Sequence, residues 1–376
     1  LMNRSEEKEL MQYKKILLTF FDASSASHSQ PDLYLLNTIK YIPVYTDDPA
    51  LYTFFQYILE SLQNQSIDEI MDIDLRMTVL ESLYYLVDYF PEDSREADHV
   101  RSYFSRNPHK SSVPAENYLM YRMADKLFDE EAVVKPYQEF YELDVHKVPD
   151  IHLTNLKSAT NWVTKRIHVE LLQEYLLQNP TLNKLHTAMH YCNLLKVSSV
   201  ESVRIQAGES LIRLFPHLPL EQRNDVAIEL LRALEIDGAQ YTKYIPDYLG
   251  QIIIYLQPVE LDEMITDLME KIKQSNTEIN SLLLKTIGVF IENYPQYQDF
   301  FKVTDQDYEM RLNKMLGILL NGLVHHQLQI QQISFSVIGK DVFGSKKLSL
   351  TEKYQLFLKT AKKILTLSKE TEEHEL

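Results

Sequence analysis

Val203-Arg204-Ile205-Gln206-Ala207-Gly208-Glu209-Ser210-Leu211-Ile212-Arg213-Leu214 decides the fold class. Its apolar positions 203, 207, 211 and 214 fall at i, i+4, i+8 and i+11, which is one stripe along an α-helix with a single buried side. The stretch has a counterpart in Leu75-Arg76-Met77-Thr78-Val79-Leu80-Glu81-Ser82-Leu83-Tyr84-Tyr85-Leu86, where Arg, Glu, Ser and two Leu recur at the same places. Further copies follow with Ile245, Leu249, Ile253 and Leu256, then with Leu283, Ile287 and Ile291, offset by about 42 and about 38 residues. Between the copies, partner helices are predicted over 220–235 after Pro219, 261–273 after Pro258 and 308–323 after the loop near Asp305. Each unit reads as helix, turn, helix.

The pattern Val203-Arg204-x-x-Ala207-x-x-Ser210-Leu211-x-x-Leu214, with Glu201 just upstream, resembles the second helix of a HEAT repeat, and the period is that of HEAT and armadillo arrays. The resemblance extends over residues 30–90 and 180–370. It implies an all-α chain, an α-solenoid of antiparallel helix pairs forming a HEAT-like superhelix, in which the small Ala207 and Gly208 permit close helix approach.

Four segments are expected. Residues 1–103 form an N-terminal helical lobe with one HEAT-like repeat, and 104–152 a loop-rich connection with a short helix over 118–128. Residues 153–367 form the C-terminal array, with one or two helices over 153–178 and another over 182–196. The charged tail 368–376 is expected to fray.

Composition agrees with helices. Only 8 of 376 residues are glycine, fewer than a doubly wound α/β chain needs at its turns. A formal net charge of −16 repels a phosphate backbone, so nucleic acid is not expected as a primary ligand. The single cysteine, Cys192, excludes an intramolecular disulfide and points to a reducing cytoplasm. No run of about 18 apolar residues is present to span a bilayer, so no membrane insertion is expected. Leu1 before Met2 fits either an appended remnant or a piece cut from a longer protein.

Groups that carry chemistry are sparse. His186 and His190 stand one helical turn apart with Cys192 nearby, a spacing that puts two imidazoles on one face, but Cys192 falls on the opposite side from His190. No metal or other cofactor is expected. Asp47-Asp48-Pro49 suits a helix start rather than acid-base work, and Asp129-Glu130-Glu131 and Glu372, Glu373 and Glu375 read as solvated charge. Trp162 and Arg166, one turn apart, would be an aromatic and cationic pair like those of the DNA-glycosylase branch of HEAT-like folds, without a further motif beside them. Neither a phosphate-cradling glycine loop nor a serine nucleophile elbow occurs.

The 24 tyrosines are unusual, and each ring can either pack between helices or present itself to a partner. Carrying the register across the copies places Thr78, Glu81 and Tyr85, then Gln206, Glu209 and Arg213, then Tyr248, Gln251 and Tyr255, on the flank of each second helix away from its core stripe. In HEAT-like arrays the second helices line the concave surface, so these residues would form an acidic, tyrosine-rich inner face for a protein or peptide, including one with a basic segment. The expected function is a non-enzymatic interaction module. The alternative is a regulatory or substrate-holding helical region of a larger enzyme.

Overall fold

A computed structural model of the chain describes residues 95–106, 108, 110–145, 149–159, 162–235 and 242–374, preceded by Arg76, Met77, Leu80, Glu81, Tyr84, Val87 and Asp93. Every regular element among the described residues is helical. The chain divides into two compact units at Tyr175/Leu176, rather than at the loops expected near 104 and 152.

In the first unit, α1 is Arg95–Arg106, α2 Pro114–Leu127, α3 Glu131–Val145 and α4 Pro149–Ser158, and most of α5, Trp162–Gln178, belongs here. Residues 104–152 thus carry two full helices, a correction to the loop-rich segment expected there. The signal was hidden for a physical reason. The start of α2 is buried on all sides from Ala115 to Met120, so no stripe shows, and Pro136 inside α3 reads as a breaker. The two helices pack through rings, with Tyr118 and Tyr121 each 5.2 Å from Tyr141.

Buried charge ties this unit together. Arg76 grips the fully buried Glu116 with two nitrogens at 3.0 and 3.1 Å, and Ser111 Oγ donates to the same carboxylate. Glu81 pairs with Arg166 inside the unit, and Arg122 reaches Glu170 at 2.9 Å while lying 4.2 Å from the Tyr84 ring. Charges removed from water in this way persist only when paired.

The second unit contains α6, Leu185–Val197; α7, Glu201–Leu214; α8, Leu220–Ala233; α9, Ile245–Ile252; α10, Pro258–Gln274; and α11, Thr277–Asn293. The short α12, Tyr297–Phe300, follows, then α13, Asp305–Leu323; α14, Leu328–Ser336, running into a π-helical stretch Val337–Phe343; and α15, Leu350–His374. The starts are locally encoded. Asn276 accepts from Ile279 N at 2.9 Å, Thr304 accepts from Asp307 N at 3.1 Å, and Pro258 opens α10 at its first turn. Ser349 and Glu352 cap each other's backbone N–H reciprocally at the start of α15. This last helix continues to His374, where the tail was expected to fray.

All the stripe positions anticipated in this unit are buried: Val203, Ala207, Leu211 and Leu214; Ile245, Leu249, Ile253 and Leu256; Leu283, Ile287 and Ile291. Within the unit, α7 packs on α9, α9 on α11, and α11 on α14 and the π stretch; α6 packs on α8, α10 on α13, and α13 on α15.

A glycine stands at each step between the second helices. A Cβ on Gly208 of α7 would fall 2.2 Å from Tyr248 Cζ of α9. One on Gly250 of α9 would fall 2.6 Å from Val289 Cβ of α11, and one on Gly288 of α11 would fall 2.4 Å from Val337 Cγ1. The helices sit at a separation that a side chain at these positions would prevent.

Candidate functional site

The flank of the second helices is the site that the sequence singled out, and in the second unit it can be built residue by residue. On α7 the positions 201, 205, 209 and 213 recur every fourth residue, and Glu201, Ile205, Glu209 and Arg213 are all exposed. Gln206 is half-buried beside them and donates to Ser210 Oγ at 3.3 Å within its own helix.

The neighbouring helix closes the edge of this row with aromatic groups. Tyr244 donates its hydroxyl to Glu201, and the Tyr248 ring fills the hollow over Gly208, its hydroxyl 3.5 Å from the Ile205 carbonyl. Burial, with Glu209 adding to it, pushes the Tyr248 hydroxyl up to about 12, so it stays neutral at any physiological pH. Arg204 is buried beneath the same tyrosines, its guanidinium donating to the Ser198 carbonyl at 2.6 Å and lying 4.8 Å from the Tyr244 ring.

Gln251 is half-buried and turns back to the Asp247 carbonyl at 2.8 Å. Tyr255 packs with Phe215 and Phe300, with ring centroids 6.1 and 4.6 Å away. It is part of the packing at the end of α9 rather than an open contact. Further along the flank, Asp247 meets Lys285 at 2.9 Å, and Asp341 lies beyond Lys285. Burial holds the Asp341 carboxyl above its ordinary value although Lys285 pulls it down.

Glu81 does not belong to an exposed face. It is wholly buried and paired with Arg166, because a carboxylate in that position must find a cation or lose its charge. Thr78 and Tyr85 lie outside the described residues. The flank in the second unit is also not acidic: Glu201, Glu209 and Asp247 alternate with Arg213, Lys243 and Lys285. An exposed acidic row occurs instead on α10, at Glu263, Asp267 and Glu270.

The other candidates separate. His186 is exposed, His190 half-buried and Cys192 fully buried, and burial pushes its thiol up to about 12. No grouping of three or more His, Cys, Asp or Glu able to hold a metal occurs among the described residues. Arg166 is committed to Glu81, which removes it from any nucleic-acid role beside Trp162. Asp47-Asp48-Pro49 lies outside the described residues. No described helix is long and apolar enough to cross a membrane.

One feature of the second unit gave no sequence signal. A half-open cavity of about 310 Å³ lies among α10, α11, α13 and the turn before α14, walled by Met269, Leu284, Ile318 and Ile330 with Lys273, His325 and His326 at its edge. Asn280 lines it, nearly buried; its Nδ2 donates weakly to the Ser275 carbonyl at 3.4 Å and its Oδ1 receives no hydrogen bond among the described residues. These residues come from four helices, α10, α11, α13 and α14, that meet only on folding, so no local motif announces them.

No protein-family model matches the chain, and no curated protein matches it. Solved structures that are similar to it at low identity include two. One, from work on tubulin recruitment and assembly by microtubule polymerases with TOG domain arrays, is 12% identical over 88% of this chain and 71% of its own, with a TM-score of 0.36. The other, an engineered protein, is 10% identical over 82% of this chain and 84% of its own, with a TM-score of 0.33.

Proposed function

We propose that the chain is a non-enzymatic interaction module, built as a HEAT-like solenoid, which holds a protein or peptide partner along the exposed flank of its second helices. The observation that carries this reading is the glycine at every step between those helices. Gly208, Gly250 and Gly288 let α7, α9, α11 and the π stretch pack closely side by side, so that their flanks join into one surface.

The flank has the composition of a recognition surface. Ile205 offers exposed apolar area, Tyr244 and Tyr248 offer rings anchored at their hydroxyls, and charges of both signs flank them. Rings held in place lose little freedom when a partner arrives. A partner segment with basic residues against Glu201 and Glu209, and an acidic one against Arg213, would match this pattern.

Charge reversal at two exposed positions, Glu209→Arg with Arg213→Glu, tests the reading. A tagged chain is used to capture partners from native extract at low and moderate salt, with circular dichroism confirming the fold of the variant. Loss of a stoichiometric protein partner from the folded variant supports the flank as the contact. Undiminished capture by the variant places the contact elsewhere.

A further inference from the structure

The half-open cavity among α10, α11, α13 and the start of α14 holds a polar group that no described residue satisfies. Asn280 lines it and is 5% exposed, yet its Oδ1 accepts no hydrogen bond among the described residues and has almost no area open to water. A buried acceptor in that state is costly until a donor reaches it. The amide is held on its Nδ2 side only by the 3.4 Å contact with the Ser275 carbonyl, weak enough to yield to an N–H or O–H that enters. Around it the walls are apolar, with Met269, Leu284, Ile318 and Ile330, and a volume of about 310 Å³ suits a ligand of about ten to fifteen non-hydrogen atoms.

The edge of the cavity selects the sign of charge. Lys273 is exposed at the end of α10, and in the turn after α13 His325 is half-buried and His326 exposed. His325 Nδ1 accepts from the Gln327 backbone N–H at 3.1 Å, so its ring proton stands on Nε2, where it is a donor. No Asp or Glu is among the described lining residues, on a chain whose formal net charge is −16. Glu270 and Glu278 are close in sequence but exposed and outside the lining, and Lys271 is committed to Glu235. The helix dipoles offset one another here, because the C-terminal ends of α10 and α13 meet the N-terminal ends of α11 and α14. The side chains therefore decide, and a rim of donors without a carboxylate favours an anion.

We propose that this cavity binds a small aromatic carboxylate. Its ring lies between Met269, Leu284, Ile318 and Ile330, a ring N–H or O–H donates to Asn280 Oδ1, and its carboxylate accepts from Lys273 Nζ and the imidazoles at the edge. An indole or a phenol combines an apolar body with a single donor in the way these walls and this one acceptor require, and a thioether such as that of Met269 packs well against a ring. The site uses none of Glu201, Glu209 and Arg213, so it stands independently of the partner surface on the second helices.

Isothermal titration of the full chain with indole-3-propionate tests this, beside 3-(1-naphthyl)propionate, which keeps the carboxylate and a fused ring but has no ring donor. The expected result is saturable binding of indole-3-propionate at one site, at least tenfold tighter than the naphthyl acid. Lys273→Glu, at an exposed position, is expected to weaken both acids at least tenfold. Asn280→Leu is expected to remove the preference for the indole and to leave the naphthyl acid bound, with circular dichroism as the control of folding. Absence of saturable binding overturns the proposal, as does binding that Lys273→Glu leaves intact. Equal affinity of the unaltered chain for the two acids overturns the contact with Asn280, and this comparison stands even where Asn280→Leu does not fold.

Discussion

Gly250 lies against Val289 so closely that a Cβ on it would come within 2.6 Å of the valine Cβ and 2.9 Å of the Thr286 carbonyl oxygen. Both obstacles belong to the rigid part of α11, a branched carbon and a backbone atom. Gly250→Ala should therefore be destabilising even though alanine is the better helix former by about 0.8–1 kcal/mol. Forcing α9 and α11 apart costs about 1–3 kcal/mol, which outweighs that gain. Chemical denaturation should show a lower midpoint at unchanged slope. An unchanged or raised midpoint would mean that the helices are not held at this separation.

The second prediction concerns the buried pair Glu81 and Arg166. Arg166→Met leaves a carboxylate at zero exposure without its cation, which costs about 3–5 kcal/mol. The double variant Glu81→Leu with Arg166→Met should recover most of that loss, because two apolar groups need no partner. A double-mutant cycle by denaturation measures the coupling, and additive effects would contradict the pairing.

Cys192 offers a reporter for the second unit. Its sulfur is fully buried and burial pushes the thiol up to about 12, so almost no thiolate exists at neutral pH. A thiol reagent should label the native chain only as fast as α6 opens, and label it fully in denaturant. Rapid labelling of the native protein at pH 7 would show that α6 does not pack as described.

How far the letters of the sequence carried can be judged from the two matching stretches. Periodicity located the buried stripes of α7, α9 and α11 and the partner helices α8, α10 and α13 within a few residues, because each helix buries one side only. It gave α2 only from residue 118, because the first turn is buried all round and leaves no stripe to count, and it missed α3, where Pro136 reads as a breaker. The flank was harder to read. Arg76 and Arg204 occupy matching positions and both are buried, yet Glu81 is buried while its match Glu209 is exposed, and Met77 is buried while its match Ile205 is exposed. Local spacing says which side of a helix is apolar. What lies opposite a charged residue depends on helices distant in sequence, here α5 for Glu81, whereas Glu209 stays exposed beside Tyr248 of α9.

Several of the described tyrosines follow the same logic. Tyr191, Tyr294 and Tyr297 are fully buried and Tyr297 reaches the Leu256 carbonyl at 3.1 Å, so these rings serve packing between helices rather than display. Tyr248 does both, filling the space over Gly208 while its edge borders the row of exposed residues on α7. Its contribution to binding cannot be separated from its packing by truncation, which is why charge reversal at Glu209 and Arg213 is the better probe.

The central claim is that a partner lies along the flank of the second helices, and site-specific photo-crosslinking tests it most directly. A benzophenone amino acid is placed at position 209 on α7 in one chain, and at 267 on the acidic row of α10 in another. The captured partner is expected to form an adduct from 209 and not from 267. An adduct from 267 alone would contradict it, and would move the binding surface to the first helices.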